Sequence, residues 1–387
     1  MGKLVNGQEI IRLFEQFSPK ALAVEGDKIG LQIGTLNKKI KNVMVTLDVL
    51  EETVDEAIAK DVDLIIAHHP PVFRPLKNIV TDQPGGRLIE KCIKHDIAVY
   101  AAHTNLDVAD GGVNDMLADA LGLEETKVLV PTYAESLKKL AVYVPKEYEE
   151  KVRKALGDAG AGHIGAYSHC AFSSEGIGSF RPLEDANPFI GQAGELERVQ
   201  EVRIETVYPS GIEKTVLAAM KKAHPYEEVA FDIYPVEQSP LQKGLGRIGK
   251  LKEEMTLADF ARHVKEKLQA NGARMVGNPD AKVKKVAVLG GDGNKYIYDA
   301  KRMGADVYVT GDLYFHTAHD ALAIGLNVVD PGHYAEQIMK QGVTKKLTEM
   351  CTEKKYDVSI FPSETNTNPF AFFFDFTLGN IFCSGTS

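Results

Sequence analysis

The stretch "LIIAHHPPVF", residues 64–73, ends an apolar run with two adjacent histidines and two prolines. Imidazole is the commonest metal ligand and carries protons near neutral pH, so His68 and His69 are the first residues equipped for chemistry. Side chains alternate along a strand, so both histidines serve one site only if the backbone turns at the strand's end, and Pro70 and Pro71 force such a turn. Alternatively, each imidazole faces a different ion of a close pair. "AAHTNLD" adds His103 and Asp107, with a turn able to swing the carboxylate back across a sheet. "VVDPGHYAEQIM" adds His333 and Glu336, three residues apart at the start of an expected helix and therefore on one face.

Taken together, His68, His69, Asp107, His333 and Glu336 offer three imidazoles and two carboxylates. A tetrahedral catalytic zinc keeps three protein ligands and leaves a position for water, so five ligands exceed its needs. Two divalent ions ~3.5–4 Å apart, bridged by a carboxylate and a water, would use them all. The nitrogen and oxygen donors suit Zn, Fe or Mn alike. Singly, each motif has a plainer reading: imidazoles cap helices or satisfy buried groups, and TNLD is an ordinary turn. The argument for a metal site rests on all three motifs closing strands.

Those strands must come from an α/β fold. "VNGQEIIRLFEQFSP" (residues 5–19) has helical apolar spacing; "IKNVMVTLDV", "DLIIAHH" and "IAVYAAH" read as strands, with "LEETVDEAIAKDV" and "GGRLIEKCIKHD" as helices between them. The same grammar returns in "KKVAVLGGDG", "KYIYDAKRMGA", "DVYVTGD", "FHTAHDALAIG" and "LNVVDPGH". "VDLIIAHH" aligns with "ADVYVTGD", and "DIAVYAAHTNLD" with "GLNVVDPGHYAE", so the expectation is two duplicated α/β halves, 1–129 and 244–387, with layered sheets and helices. Between them, 130–243 reads as strand, helix and Gly-rich turn, then strand, helix, strand, the pattern of an inserted ferredoxin-like α+β domain. The aromatic-rich end, "FFFDFTLGNIFCSGTS", has neither helical nor strand periodicity.

Composition narrows the class. The 387 residues are 44% hydrophobic and 26% charged, with a net charge of −9. No signal segment or long apolar span is evident, which predicts a cytoplasmic protein without a membrane segment. No Lys/Arg block offers an electrostatic grip on nucleic acid, so a small-molecule or protein partner is expected. Cys92, Cys170, Cys351 and Cys383 form no CxxC, so any metal must be held by imidazole and carboxylate.

At these residues the chain resembles the NIF3 family, whose bacterial members are called GTP cyclohydrolase I type 2 homologs. The resemblance spans nearly the whole chain, through "GLQIG", "AHHP", "HTNLD", "GGVNDMLADALGL", "GLGRIG", "VAVLGGDG", "TGD", "GHYAEQ" and "NTNPF". It implies a duplicated α/β fold, a dinuclear site between the halves held by the same five ligands, and a toroidal homohexamer. "GAGHIGAY" and "HPYEE" resemble the PII-like or CutA-like insert of the longer members. The family's Trp-Asp pair is absent: the segment reads "VEGDKIGLQIG", and the chain has no Trp.

The leading expectation is a metal-dependent hydrolase acting on a nucleotide or related small molecule. His103 is the candidate catalytic residue, transferring a proton or supporting a metal ligand. The alternative is a non-catalytic metal-binding ring with a regulatory or chaperone-like role. His316 and His319 lie one turn apart and would line the same cavity or cap the surface. "VLGGDGNK" lacks full phosphate-loop spacing and reads as a tight turn. In the insert, His163, His169, Cys170 and His224 have no spacing that demands convergence.

Overall fold

A computed structural model of the chain describes residues 5–372, except the side chains of 238–241. The expected character of the C-terminal end falls on residues 372–387, which apart from Phe372 lie outside the described residues. The described residues within 1–133 and 243–387 form one compact unit, and those within 134–242 a second. Among the described residues, no helix is long and apolar enough to cross a membrane.

The larger unit is built on two main sheets, beside the two-stranded pair Val5–Asn6 and Lys39–Ile40. In the first, the order is Ser359–Pro362, Asn42–Thr46, Leu64–Ala67, Ala98–Ala101 and Gly30–Ile33, parallel throughout except for the last pair. Every residue of Leu64–Ala67 and Ala98–Ala101 is buried, as expected of parallel strands covered on both faces. In the second, the order is the Arg247–Thr256 part of the strand Phe231–Thr256, then Lys282–Asp292, Val307–Gly311, Asn327–Asp330 and Arg274–Val276. Its three middle strands are parallel and its two flanking pairs antiparallel. In both sheets, then, three consecutive parallel strands are followed laterally by an antiparallel strand from earlier in the chain.

One apolar core joins the two sheets. It combines Val43, Val45, Leu64 and Ile66 with Val286, Val288, Val307 and Val309, through helix residues such as Leu117, Met339 and Val343. The helices involved are Val113–Ala120 and Ile338–Glu353. Such a core fixes where the strands end, and hence where their terminal polar residues stand.

The smaller unit is built on antiparallel strands. Glu197–Pro209 pairs antiparallel with Leu137–Pro145 on one side and with Phe172–Phe180 on the other. Helices Glu149–Asp158 and Glu213–Ala223 supply Val152, Leu156, Val216 and Met220 to a core with Leu140, Val142, Val144, Val202 and Ile204. The strand Phe172–Phe180 goes beyond the sequence expectation. Its sequence, "FSSEGIGSF", lacks the alternation that marks a half-buried strand, because it is an edge strand exposed along nearly its whole length.

Candidate metal centre

The question of the paired histidines is answered at the end of Leu64–Ala67. His68 N and His69 N still donate to Thr46 O and Leu47 O, at 3.1 and 2.9 Å, while the chain bends. The two rings end up 5.0 Å apart. His68 is fully buried and its Nδ1 donates to Ala102 O at 2.9 Å, which leaves Nε2 facing inward. His69 is oriented in the same way, its Nδ1 donating to Asp48 Oδ1 at 2.7 Å.

The neighbouring strand end adds His103 and Asp107. Instead of a bare turn, residues Thr104–Val108 form a short helix, which aims the buried Asp107 into the same space. His103 packs 5.2 Å from the His68 ring and 5.8 Å from the His69 ring, and its Nδ1 donates to Asp27 Oδ1 at 2.8 Å. Asp27 also accepts from Thr104 N and Thr104 Oγ1. Burial alone would raise the Asp27 carboxyl, but these hydrogen bonds hold it well below the usual carboxylate range.

His333 and Glu336 come from the second sheet. They lie in a 3-10 turn, His333–Gln337, that precedes the long helix, and residues three apart eclipse in that geometry. Gly332, at φ +86°, opens the turn. His333 Nδ1 donates to Asp312 Oδ2 at 2.7 Å, with Asp312 itself just past the end of Val307–Gly311. A Cβ on Gly311 would come within 2.8 Å of His333 N, so the close approach of turn and strand depends on glycine there.

These groups meet around Glu336. Its Oε2 lies 3.2 Å from His69 Nε2, 3.3 Å from His333 Nε2 and 3.8 Å from His68 Nε2. His68 Nε2 is also 3.6 Å from Asp107 Oδ1. Three sets have ligand atoms within 4.8 Å of one another: His68, Asp107 and Glu336; His69, His333 and Glu336; and His68, His69 and His103.

The electrostatics call for cations. In a neutral imidazole whose Nδ1–H is donated, Nε2 carries a lone pair, and here three such nitrogens face one carboxylate. Without an ion, protons must take up the charge. Burial lowers His69, but hydrogen bonds to Asp48 and Glu336 raise it to about 10; the hydrogen bond to Glu336 raises His333 to about 9. Burial pushes the Asp107 carboxyl up to about 6, His68 opposing and Glu336 assisting. Glu336, despite its burial, is held well below the usual range by the three imidazoles. Even so, His68 Nε2 and Asp107 Oδ1 are buried with no hydrogen-bond partner among the described residues. Unpaired buried polar atoms are costly, and a divalent cation between them would satisfy both, so the donor set fits the metal its chemistry suggests.

A cavity of about 740 Å³ opens onto His69 and His333, within the usual range for small-molecule sites. His316 and His319 do not line it; they are exposed and pack on Phe315.

The family model for Duf34/NIF3 (NGG1p interacting factor 3) matches residues 5–369. The chain belongs to this family. Among its NIF3 relatives, the GTP cyclohydrolase 1 type 2 homolog of Bacillus subtilis (strain 168) is 77% identical over 372 residues, covering 96% of this chain and 100% of that one. The protein of the same name from Halalkalibacterium halodurans is 57% identical, with coverages of 96% and 100%. A solved structure described as a Bacillus cereus protein related to NIF3 superposes with a TM-score of 0.92 at 61% identity, over 96% of this chain and 100% of that chain.

Several residues of this NIF3 site escape the sequence reading. Asp27, Asp48 and Asp312 orient three of the imidazoles, and their one signal is position, since Asp48 and Asp312 each follow a strand just as His68 does. The "GG" of "VLGGDGNK" does more than turn the chain. A Cβ on Gly290 would lie 2.6 Å from Glu336 Oε1, so this glycine leaves room for the carboxylate. Among the described residues, His163, His169, Cys170 and His224 form no group able to hold an ion.

Proposed function

We propose that this NIF3-family chain holds two divalent ions, Zn, Fe or Mn, and is a metal-dependent hydrolase of a nucleotide or related small molecule. His68, Asp107 and Glu336 would hold one ion and His69, His333 and Glu336 the other. The observation that carries the reading is the pair of unpartnered buried atoms, His68 Nε2 and Asp107 Oδ1, beside a carboxylate on which three imidazoles converge. Such a pair of ions supplies Lewis-acid polarisation and a water acidified toward neutrality, for attack on an electrophilic carbon or phosphorus. His103 is the proton-transfer group: Asp27 fixes its Nδ1 and leaves Nε2 free toward the cluster. The name of the relatives makes GTP the first substrate to try.

The same proposal includes the architecture. Residues 1–129 and 244–387 are read as duplicated halves, supported by the shared order of strands in the two sheets, with 130–243 as a PII-like or CutA-like insert. A cytoplasmic location belongs to the same proposal. A homohexamer is part of it too, and the exposed Tyr314, Phe315 and Leu322 around one helix support association without fixing the number of copies. That same apolar face favours the second reading, a metal-binding ring without turnover.

Protein loaded separately with Zn, Mn and Fe is to be assayed against GTP, cyclic nucleotides and phosphoesters. Metal-dependent turnover lost in His68→Ala and Glu336→Ala, with the circular dichroism spectrum retained, is the expected result. Two bound ions without turnover on any of these would leave the ring reading in its place.

A further inference from the structure

The cavity beside the cluster has a chemical character that its metal ligands do not explain. Among the described residues lining it, Arg274 is the one lysine or arginine. Its guanidinium is held in place: Nε donates to Asp330 Oδ2 at 3.0 Å, and Nη2 donates to Leu313 O at 3.0 Å and to Asp330. Asp330 is almost fully buried and also accepts from Leu313 N and Gly332 N, so the anchor is part of the turn that presents His333. Among the described residues nothing accepts from Nη1, and the Arg274 side chain remains 63% exposed. A guanidinium locked along one edge and open along the other is preorganised for an oxyanion.

The opposite chemistry lines the same cavity. Phe370 and Phe372 expose aromatic surface to it, and Tyr334 lies beside His333. The Phe372 ring passes so close to Gly272 that a Cβ there would meet it at 2.6 Å. Asp48 and Asp312, the other acids lining the cavity, already accept from His69 and His333. The carboxylates are thus engaged, whereas the cation has donors to spare.

We infer that Arg274 is the oxyanion-recognition residue of this cavity, receiving a phosphate whose aromatic carrier rests against Phe370 and Phe372 while its reacting atom lies toward His69 and His333. The inference rests on the proposed reading of the cavity as the substrate's, and it narrows that substrate to a phosphorylated aromatic heterocycle. Lysine in place of Arg274 keeps a charge for Asp330 but loses the planar fork.

The probes are GMP, guanosine and inorganic phosphate, titrated by calorimetry into metal-loaded wild type and Arg274→Lys, with metal content measured on the same samples. GMP is expected to bind wild type at least ~10-fold more tightly than guanosine, and the lysine variant is expected to lose most of that preference with its metal content unchanged. Equal preference in both proteins, or none in wild type, overturns the inference. Inorganic phosphate alone is expected to bind at least ~10-fold more weakly than GMP; equal binding overturns the role given to the aromatic wall. Should the lysine variant fail to fold, Arg274→Gln, which leaves Asp330 and its bonds to Leu313 N and Gly332 N in place, carries the same expectation. Wild type without bound ions defeats the metal reading, and the comparison of GMP preference between wild type and variant still decides the role of Arg274.

Discussion

Histidines of the larger unit and of the smaller one are the same chemical group in two settings. His68, His69, His103 and His333 each give Nδ1 to an oxygen acceptor, and each stands at the carboxyl end of a strand. His224 instead uses both nitrogens on backbone: Nε2 donates to Tyr143 O at 2.9 Å, and Nδ1 accepts from Tyr226 N at 3.1 Å. The first arrangement leaves a lone pair aimed into a shared space, and the second leaves none. What separates a ligand from a structural imidazole here is therefore an oriented, unfinished hydrogen-bonding capacity. Carboxylates divide in the same way. Glu56 accepts from Ser363 Oγ, Glu364 N, Thr365 N and Thr365 Oγ1, whereas Asp107 Oδ1 has no partner among the described residues.

The sharpest break of this contrast is Glu336→Gln, which removes the charge shared by both ligand sets. Affinity for both ions should fall by more than roughly 100-fold, read by calorimetry, because one change reaches two sites. Asp48→Asn should weaken metal binding ~10–100-fold by freeing the His69 ring, whereas Asp27→Asn should leave metal content intact, since His103 is not assigned as a ligand.

Glu56 tests the saturated side. Although burial raises it, the N–H of Glu364 and the hydroxyls of Ser363 and Thr365 hold its pKa at about 2, below the ordinary 4.5. A depressed carboxylate stabilises the fold fully above its unfolded pKa and loses that contribution as pH falls through the folded value. Stability should therefore decline between pH 4.5 and 2 through this group, by on the order of 2 kcal/mol, and Glu56→Gln should flatten that part of the acid limb in urea titrations. The smallest effect on metal binding is expected for His224→Ala. It should cost ~1–3 kcal/mol of stability by orphaning two backbone groups and leave metal content unchanged. Loss of metal in that variant would erase the distinction between the two settings.

Much of the site was legible because parallel strands are apolar along their whole length, so the polar residues that end them stand out. "LIIAHH" and "VVDPGH" announce both a strand and its functional end in one short string. Glu336 was readable through its spacing from His333, although the turn is 3-10 rather than α-helical, which changes the phase but keeps the face. The orienting acids were not readable in the same way. Asp27 is 76 residues from His103 and becomes its partner only after the strand Gly30–Ile33 pairs antiparallel with Ala98–Ala101. Asp48 and Asp312 sit where any loop aspartate would. Gly290 reads as part of a tight turn because a glycine that clears space for a carboxylate and one that turns the chain leave the same letter. The strand Ser359–Pro362 was missed too. It is short and half-exposed, and it joins the first sheet only by pairing beside Asn42–Thr46, more than 300 residues earlier in the chain.

Anomalous diffraction from crystals loaded with zinc or manganese tests the central claim most directly. The account predicts two peaks within about 4 Å of each other, both bordering Glu336, one against His68 and Asp107 and the other against His69 and His333. A fully loaded crystal with no density there, and Asp107 Oδ1 and His68 Nε2 still unpartnered, would contradict it.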